Sequence, residues 1–216
     1  MNLIFWDLMR DGGPVLWVIV FCSMVGMFIF FKKTFQFHRE EVNVRELLRG
    51  LENVLKRNGY VEAISLCDNT PGPAARVLSA AILAYERNDE DIQQAIDDAC
   101  LEELPKLERS LDILGTIGFI APLLGLLGTV FGMMDTFQTV NTTSGVTASV
   151  SELAGSIRTA LITTAAGLCV AIPCYVAYNY LLSRVNAIAL DMEKAGSEIV
   201  YFFGQMSKQQ KEVKGE

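Results

Sequence analysis

The residues able to do chemistry are few, and they lie in two apolar stretches. In the first, Gly118, Gly125, Thr129 and Gly132 are spaced 7, 4 and 3 apart, which places them on one face of a helix. Gly128 and Gly132 add a small-xxx-small pair, the kind that lets helices approach closely in lipid. In the second, Thr159 and Thr163 lie four apart, and Thr164 stands beside Gly167 and Ala171. A helix there has a small, mildly polar side that a purely lipid-facing helix would not need. Two readings stand. The glycines pack helices together while the hydroxyls bond their own backbone, as is common; or the hydroxyls face a polar pathway, where they would hydrogen-bond water or a carboxyl group.

What these stretches lack is as informative. Neither has an Asp, Glu, His or Lys in its middle, and ionisable residues inside a membrane usually mark proton or ion relays. If this chain carries protons, a partner must bring the carrier. At the margins stand Asp135, Glu152 and Arg158. Arg158, one to two turns into its helix, either snorkels to the interface or pairs with Glu152 or with an acidic partner. Pro122 and Pro173 are expected to kink their helices, the freed carbonyls being satisfied by neighbours.

The elements that position these residues follow from the distribution of charge. Gly12 to Phe31, Ile113 to Met134 and Thr159 to Ser183 are runs of 20, 22 and 25 residues without a charge. At a rise of about 1.5 Å per residue, roughly 20 residues cross a bilayer core. The first run is too long, and its start (Asp7, Arg10, Asp11) too little basic, for a cleaved signal peptide. Lys32, Lys33 and Arg39 follow it, the link Asp135 to Ser151 between the second and third helices has no Lys or Arg, and Arg184, Lys194, Lys208, Lys211 and Lys214 follow the last. By the Lys/Arg bias the N-terminus is outside and the C-terminus in the cytoplasm.

The expected fold is therefore all-α, an integral membrane protein with three transmembrane helices and a cytoplasmic helical domain. The layout is an outer, periplasmic N-terminus (1–11), transmembrane helix 1 (12–31), the cytoplasmic helical domain (32–110), transmembrane helix 2 (111–136), a periplasmic loop (137–152), transmembrane helix 3 (153–183) and a cytoplasmic helical tail (184–216). Long helices extend from the membrane into the cytoplasm. In the soluble part Val44, Leu47, Leu48, Leu51, Val54 and Leu55 recur at helical spacing, Gly59 breaks that helix, and Thr70-Pro71-Gly72-Pro73 is a turn. Ala74 to Arg87 reads as a helix, and Asn88 or Asp89 as the N-cap of the next, which bends at Pro105 near the second span.

Composition excludes other classes. Of the 216 residues, 51% are hydrophobic and 20% charged, too apolar for disorder. The net charge of −7 argues against nucleic acid as a partner. One His, His38, and five cysteines without a C-x-x-C give no expected metal site, disulfide framework or cofactor; buried structural cysteines are the better reading. No catalytic residue stands out, so an enzyme is not expected.

Gly125-Leu-Leu-Gly-Thr-Val-Phe-Gly132, followed by Ala160-Leu-Ile-Thr-Thr-Ala-Ala-Gly-Leu-Cys-Val-Ala-Ile-Pro173 and Tyr178-Asn179, resembles the MotA/TolQ/ExbB proton channel family, and within it the ExbB/TolQ branch. The resemblance covers Leu111–Arg184 in detail and the whole chain in layout. It implies a homopentamer in the inner membrane of Gram-negative bacteria, surrounded by membrane lipids, whose second and third helices line a central pore. It also implies an ExbD- or TolR-like single-span partner in that pore, whose aspartate carries the proton, and a TonB- or TolA-like protein that the proton motive force energises. The family's pore threonines match Thr129 and Thr164, with Thr159 and Thr163 on the same helix. Many relatives carry a glutamate where this chain has Thr159, so that glutamate's role is not carried over. Glu152 lies on nearly the same face, about 10 Å outward. The alternatives are a scaffold anchoring a cytoplasmic helical domain, a sodium-driven motor of the same family and, more remotely, a solute transporter.

Overall fold

The structure is a computed structural model. It describes residues 13–40, 44–87, 91–142 and 150–214, with side chains for 13–37, 44–87, 91–138 and 154–208. Among them are seven helices and no strand: α1 (Gly13–Glu40), α2 (Val44–Leu55), α3 (Tyr60–Asn69), α4 (Pro73–Glu86), α5 (Ile92–Glu108), α6 (Leu111–Thr142) and α7 (Val150–Lys214). The fold is all-α. Three segments, Gly13–Phe37, Leu111–Gln138 and Ala154–Lys208, are long and apolar enough to cross a membrane. Helix α6 continues to Thr142, and α7 begins at Val150, so part of the expected 137–152 loop is helical.

The chain divides into two compact units. One holds residues 1–32 and 110–180, the other 33–109 and 181–216. In the first, α1 meets α6 and α7 at Gly26, where a Cβ would lie 2.9 Å from Cys174 Sγ and 3.6 Å from Leu114 Cδ1. The opposite side of α1 leaves Trp17, Phe21, Met24, Phe28 and Phe31 exposed, as a lipid-facing helix does.

The second unit has a core of its own. Leu47, Leu48, Leu51 and Leu55 supply the buried stripe of α2, Ala63 and Cys67 that of α3, Val77, Leu78, Ala81 and Ile82 that of α4, and Met192, Ile199 and Phe203 that of α7. The α2 break is sharper than expected. Asn58, not Gly59, takes the left-handed conformation (φ 56°), while Gly59 N–H donates to Val54 O at 3.2 Å. Pro73 opens α4 after Gly72, where its missing N–H costs nothing. The N-cap of α5 is Asp91, whose carboxylate accepts from Gln94 N at 3.1 Å; the expected caps Asn88 and Asp89 lie outside the described residues. Pro105 sits inside α5, which ends at Glu108, with a turn before α6.

Two charged residues are buried here. Lys33 is 3% exposed, and its Nζ donates to Leu107 O at 2.8 Å. It thereby satisfies a terminal carbonyl of α5, at the end where the helix dipole favours a cation. Glu103 is 4% exposed and pairs with Arg76 of α4 and Lys106. Burial alone would raise its pKa, but the bonds from Lys106 and Arg76 outweigh that and hold the carboxyl below its usual range. A depressed carboxyl pKa stabilises the fold above the unfolded value, about 4.3, and the gain fades as pH falls through the folded value. Glu103→Gln should therefore cost about 1–2 kcal/mol at neutral pH, with the gap to wild type closing below about pH 4; melting midpoints of the detergent-solubilised protein across pH check this. Burial, with Asp68 adding, pushes the Cys67 thiol up to about 11, so it is a packing group rather than a nucleophile.

Candidate functional site

Helix α6 lays a row of small residues against α7. The row runs Gly118, Ala121, Gly125, Gly128, Gly132, stepping 3, 4, 3 and 4 residues, the period that keeps one seam facing a neighbour. Gly118 backs onto Tyr175, Gly125 onto Thr163 and Thr164, and Gly132 onto Ser156 and Ala160. The partners descend as α6 ascends, so the pair is antiparallel. The approach is close enough to exclude side chains. A Cβ at Gly128 would overlap the Thr163 side chain, and one at Gly167 would lie 2.6 Å from Ala121 O and 3.1 Å from Gly125 Cα. Ala121, and Gly115 against the Tyr178 ring at 3.1 Å, complete the seam. A search for small residues at alternating spacings of three and four would have found Ala121, whereas Gly115 falls three before Gly118 and breaks the alternation. Helices α6 and α7 both continue through their prolines, Pro122 and Pro173.

The threonines divide by this seam. Thr163 is 1% exposed and donates to Ala160 O at 2.9 Å. It is sealed between the helices, facing the seam rather than an open surface of this chain. Thr164 stands beside it, half-buried, and its Oγ1 is shared between Gly125 O at 3.3 Å and Ala160 O at 3.4 Å. It thus ties α7 to α6. Thr129 flanks the seam on α6, partly exposed, with Oγ1 donating to Leu126 O at 2.6 Å. Thr159 is half-buried and has no hydrogen-bond partner among the described residues.

At the end of the pair near the α6–α7 link, Ser156 Oγ donates to Asp135 Oδ2 at 3.3 Å. Arg158 is exposed there and engaged in an interaction of its own. The side chain of Glu152 lies outside the described residues. Helical periodicity on one strand of sequence could not reveal the Ser156–Asp135 bond, because it joins two helices. Among the described residues no three His, Cys, Asp or Glu side chains are grouped to hold a metal. What the site offers is a close-packed helix pair with hydroxyls on its flanks and no Asp, Glu, His or Lys along its middle.

Comparison with known proteins bears on this arrangement. The sequence profile described as the MotA/TolQ/ExbB proton channel family matches residues 69–194, from the end of α3 through the seam into α7. The chain is 28% identical over 181 residues to a protein of Methanothermobacter thermautotrophicus described as a biopolymer transport protein ExbB homolog, covering 83% of this chain and 63% of that protein. It is 28% identical over 192 residues to biopolymer transport protein ExbB-like 3 of Synechocystis, covering 88% of this chain and 91% of that protein. It is 40% identical over 98 residues to the Tol-Pal system protein TolQ of Haemophilus influenzae, covering 45% of this chain and 42% of that protein. The chain thus spans less than two thirds of the first of these relatives and nearly all of the second.

Proposed function

This chain belongs to the MotA/TolQ/ExbB proton channel family, and from that premise we propose that it is the channel-forming stator subunit of an inner-membrane motor of the ExbB–ExbD or TolQ–TolR kind. Five copies surround a pore lined by α6 and α7. A single-span partner sits in the pore and carries an aspartate at midplane. Protons driven by the membrane potential, worth about 2.3 kcal/mol per charge per 100 mV, pass by way of that aspartate, and the resulting rotation energises a TonB- or TolA-like protein that spans the periplasm. The chain itself performs no covalent chemistry.

The observation that carries this reading is the unionised polar flank of a glycine-packed helix pair. Thr129 and Thr164 border the seam, and no acid, Lys or His lies between Ile113 and Met134 or between Thr159 and Ser183. Such a wall passes protons only if another chain supplies the titrating group. Thr129 and Thr164 are the pore-lining pair in this proposal, Thr159 lies farther outward on α7, and Glu152 and Arg158 belong to the outer mouth with the Asp135–Ser156 bond. The N-terminus is periplasmic and the C-terminus cytoplasmic, on the strength of Lys32, Lys33, Arg39 and Arg184 at the inner helix ends.

The test is the mass of the complex purified in detergent from its native membrane. Five copies with a smaller single-span protein are expected, and that protein should contain an aspartate within its apolar run. A complex of this chain alone, in whatever number, contradicts the proposal.

A further inference from the structure

On the channel reading just given, identical copies stand in a ring, and a closed ring needs two different, complementary faces on each copy. The second unit carries such faces on opposite flanks of α7. Between α5 and α7 lies a groove of about 480 Å³. The two helices come together where Ile96 covers Gly196, whose would-be Cβ would lie 2.6 Å from Ile96 Cγ2. Ile96 and Met192, both buried, form the floor of the groove. Asp97 and Leu101 of α5 and Glu193 of α7 form its walls. Leu101 is 71% exposed, a large apolar side chain left open beside two carboxylates. Asp97 accepts a neutral amide N–H from Gln93 at 3.1 Å. Neither acid has an ion-pair partner among the described residues.

The other flank is basic. Arg45, Arg49 and Lys56 are exposed on α2, within about 40° around the helix and over about 16 Å along it. They too have no ion-pair partner among the described residues. Glu52 is the acid on that face. A second groove, between α2 and α7, is bordered by Lys56 and shares Ser197 with the first, so α2 and α5 stand on either side of α7. A groove with an apolar floor and acidic walls suits a long cation. The methylene stem lies along the apolar surface while the charged head reaches the carboxylates, and the guanidinium fork of Arg matches the two oxygens of each.

We propose that the α5–α7 groove of one copy receives the Arg45–Arg49–Lys56 face of α2 from the next copy, so that the second units close head to tail into a ring. Each copy offers one face and uses the other, so the contact repeats around the ring until it closes. Exposed ion pairs are individually weak; here they fix the register and choice of partner, while covering Leu101 removes apolar surface from water. The ring then has a contact outside the apolar spans, independent of the small-residue seam, which lies within one chain.

Cross-linking in the native membrane tests this, with Cys100, which lines the groove, as the reporter. Arg49→Cys is treated with a short bis-maleimide, and joining between copies should give covalent dimers and higher species on a denaturing gel. Adding Cys100→Ser should remove them, and Ser197→Cys in that background, a second reporter in the groove, should bring them back. Asp97→Arg with Glu193→Arg should cut the cross-linked fraction at least about tenfold, since like charges brought together suppress a pairing. Adding Arg45→Glu and Lys56→Glu should then restore it, a rescue that damage to the fold would not allow. No cross-link through either reporter, cross-links confined within one chain, or cross-links from the groove to a smaller partner protein instead would each overturn the proposal. The mass of the complex separates the two readings. A ring of copies without these cross-links removes this inference alone, whereas a chain that stays single removes the channel reading and this inference with it.

Discussion

Replacing Gly167 with valine is expected to leave almost no correctly assembled membrane unit. The added Cβ would lie 2.6 Å from Ala121 O and 3.1 Å from Gly125 Cα. Both are backbone atoms of α6, so no side chain can rotate away and the helices must separate. Separation then breaks the other close approaches, at Gly125, Gly128 and Gly132, and the shared bond from Thr164 to Gly125 O. In lipid this packing is the main attraction between the helices, since burying apolar surface there gains little. Overpacking costs typically 1–3 kcal/mol in a core that can adjust, and two helix backbones in contact have little adjustment left. We expect the yield of monodisperse protein to fall at least about tenfold, as a loss of roughly 1.4 kcal/mol or more would produce. Gly204 provides the control, because nothing lies within 4 Å of its would-be Cβ. Gly204→Ala should be neutral or stabilise the helix by about 0.5–1 kcal/mol. Size-exclusion profiles of the two variants check both halves, and a normal profile for Gly167→Val would show that α6 and α7 do not pack through this seam.

Valine at Thr129 or Thr164 should have the largest effect on transport. Valine matches threonine in shape but has no oxygen, so helix packing is kept while the polar flank loses its acceptor. The Thr164 bonds at 3.3 and 3.4 Å are long, and losing them costs assembly little. If each hydroxyl lowers the barrier for a proton-carrying group by the net worth of one hydrogen bond, about 1–1.5 kcal/mol, each variant should lose about tenfold in flux. Thr163→Val supplies the contrast. Its hydroxyl is sealed in the seam, so flux per assembled complex should stay at the wild-type level. Equal losses at all three positions would mean that the hydroxyls act through helix packing and not through a path.

These contrasts show where the sequence was legible. Charge-free runs of 20, 22 and 25 residues are long enough for a helix to cross a membrane, so the three long apolar helices could be read directly. The leucine stripe of α2 and the proline–glycine turn before α4 were equally plain, because both are local. The glycine face of α6 was visible, but its rotation was not. Thr129, placed on that face by spacing, flanks it, while Ala121 lies within it. On α7 the adjacent Thr163 and Thr164 are about 100° apart around the helix, and one faces the seam while the other reaches its edge. Spacing states that difference but not which of the two turns inward; the partner helix decides. Lys33 on the Leu107 carbonyl, Glu103 between Arg76 and Lys106, and Ser156 on Asp135 were hidden for the same reason. Each joins residues whose proximity is made by the fold and leaves no trace in local pattern.

The central claim is that this chain forms a proton path that lacks its own titrating group and works only with a partner's acid. Proton uptake into proteoliposomes under an imposed pH gradient and membrane potential tests it most directly, with the chain reconstituted alone and together with its co-purifying single-span partner. The account predicts no uptake above empty vesicles for the chain alone, and uptake with the partner that disappears when the partner's intramembrane aspartate is replaced by asparagine. Uptake by the chain alone, or uptake that survives that replacement, would contradict it.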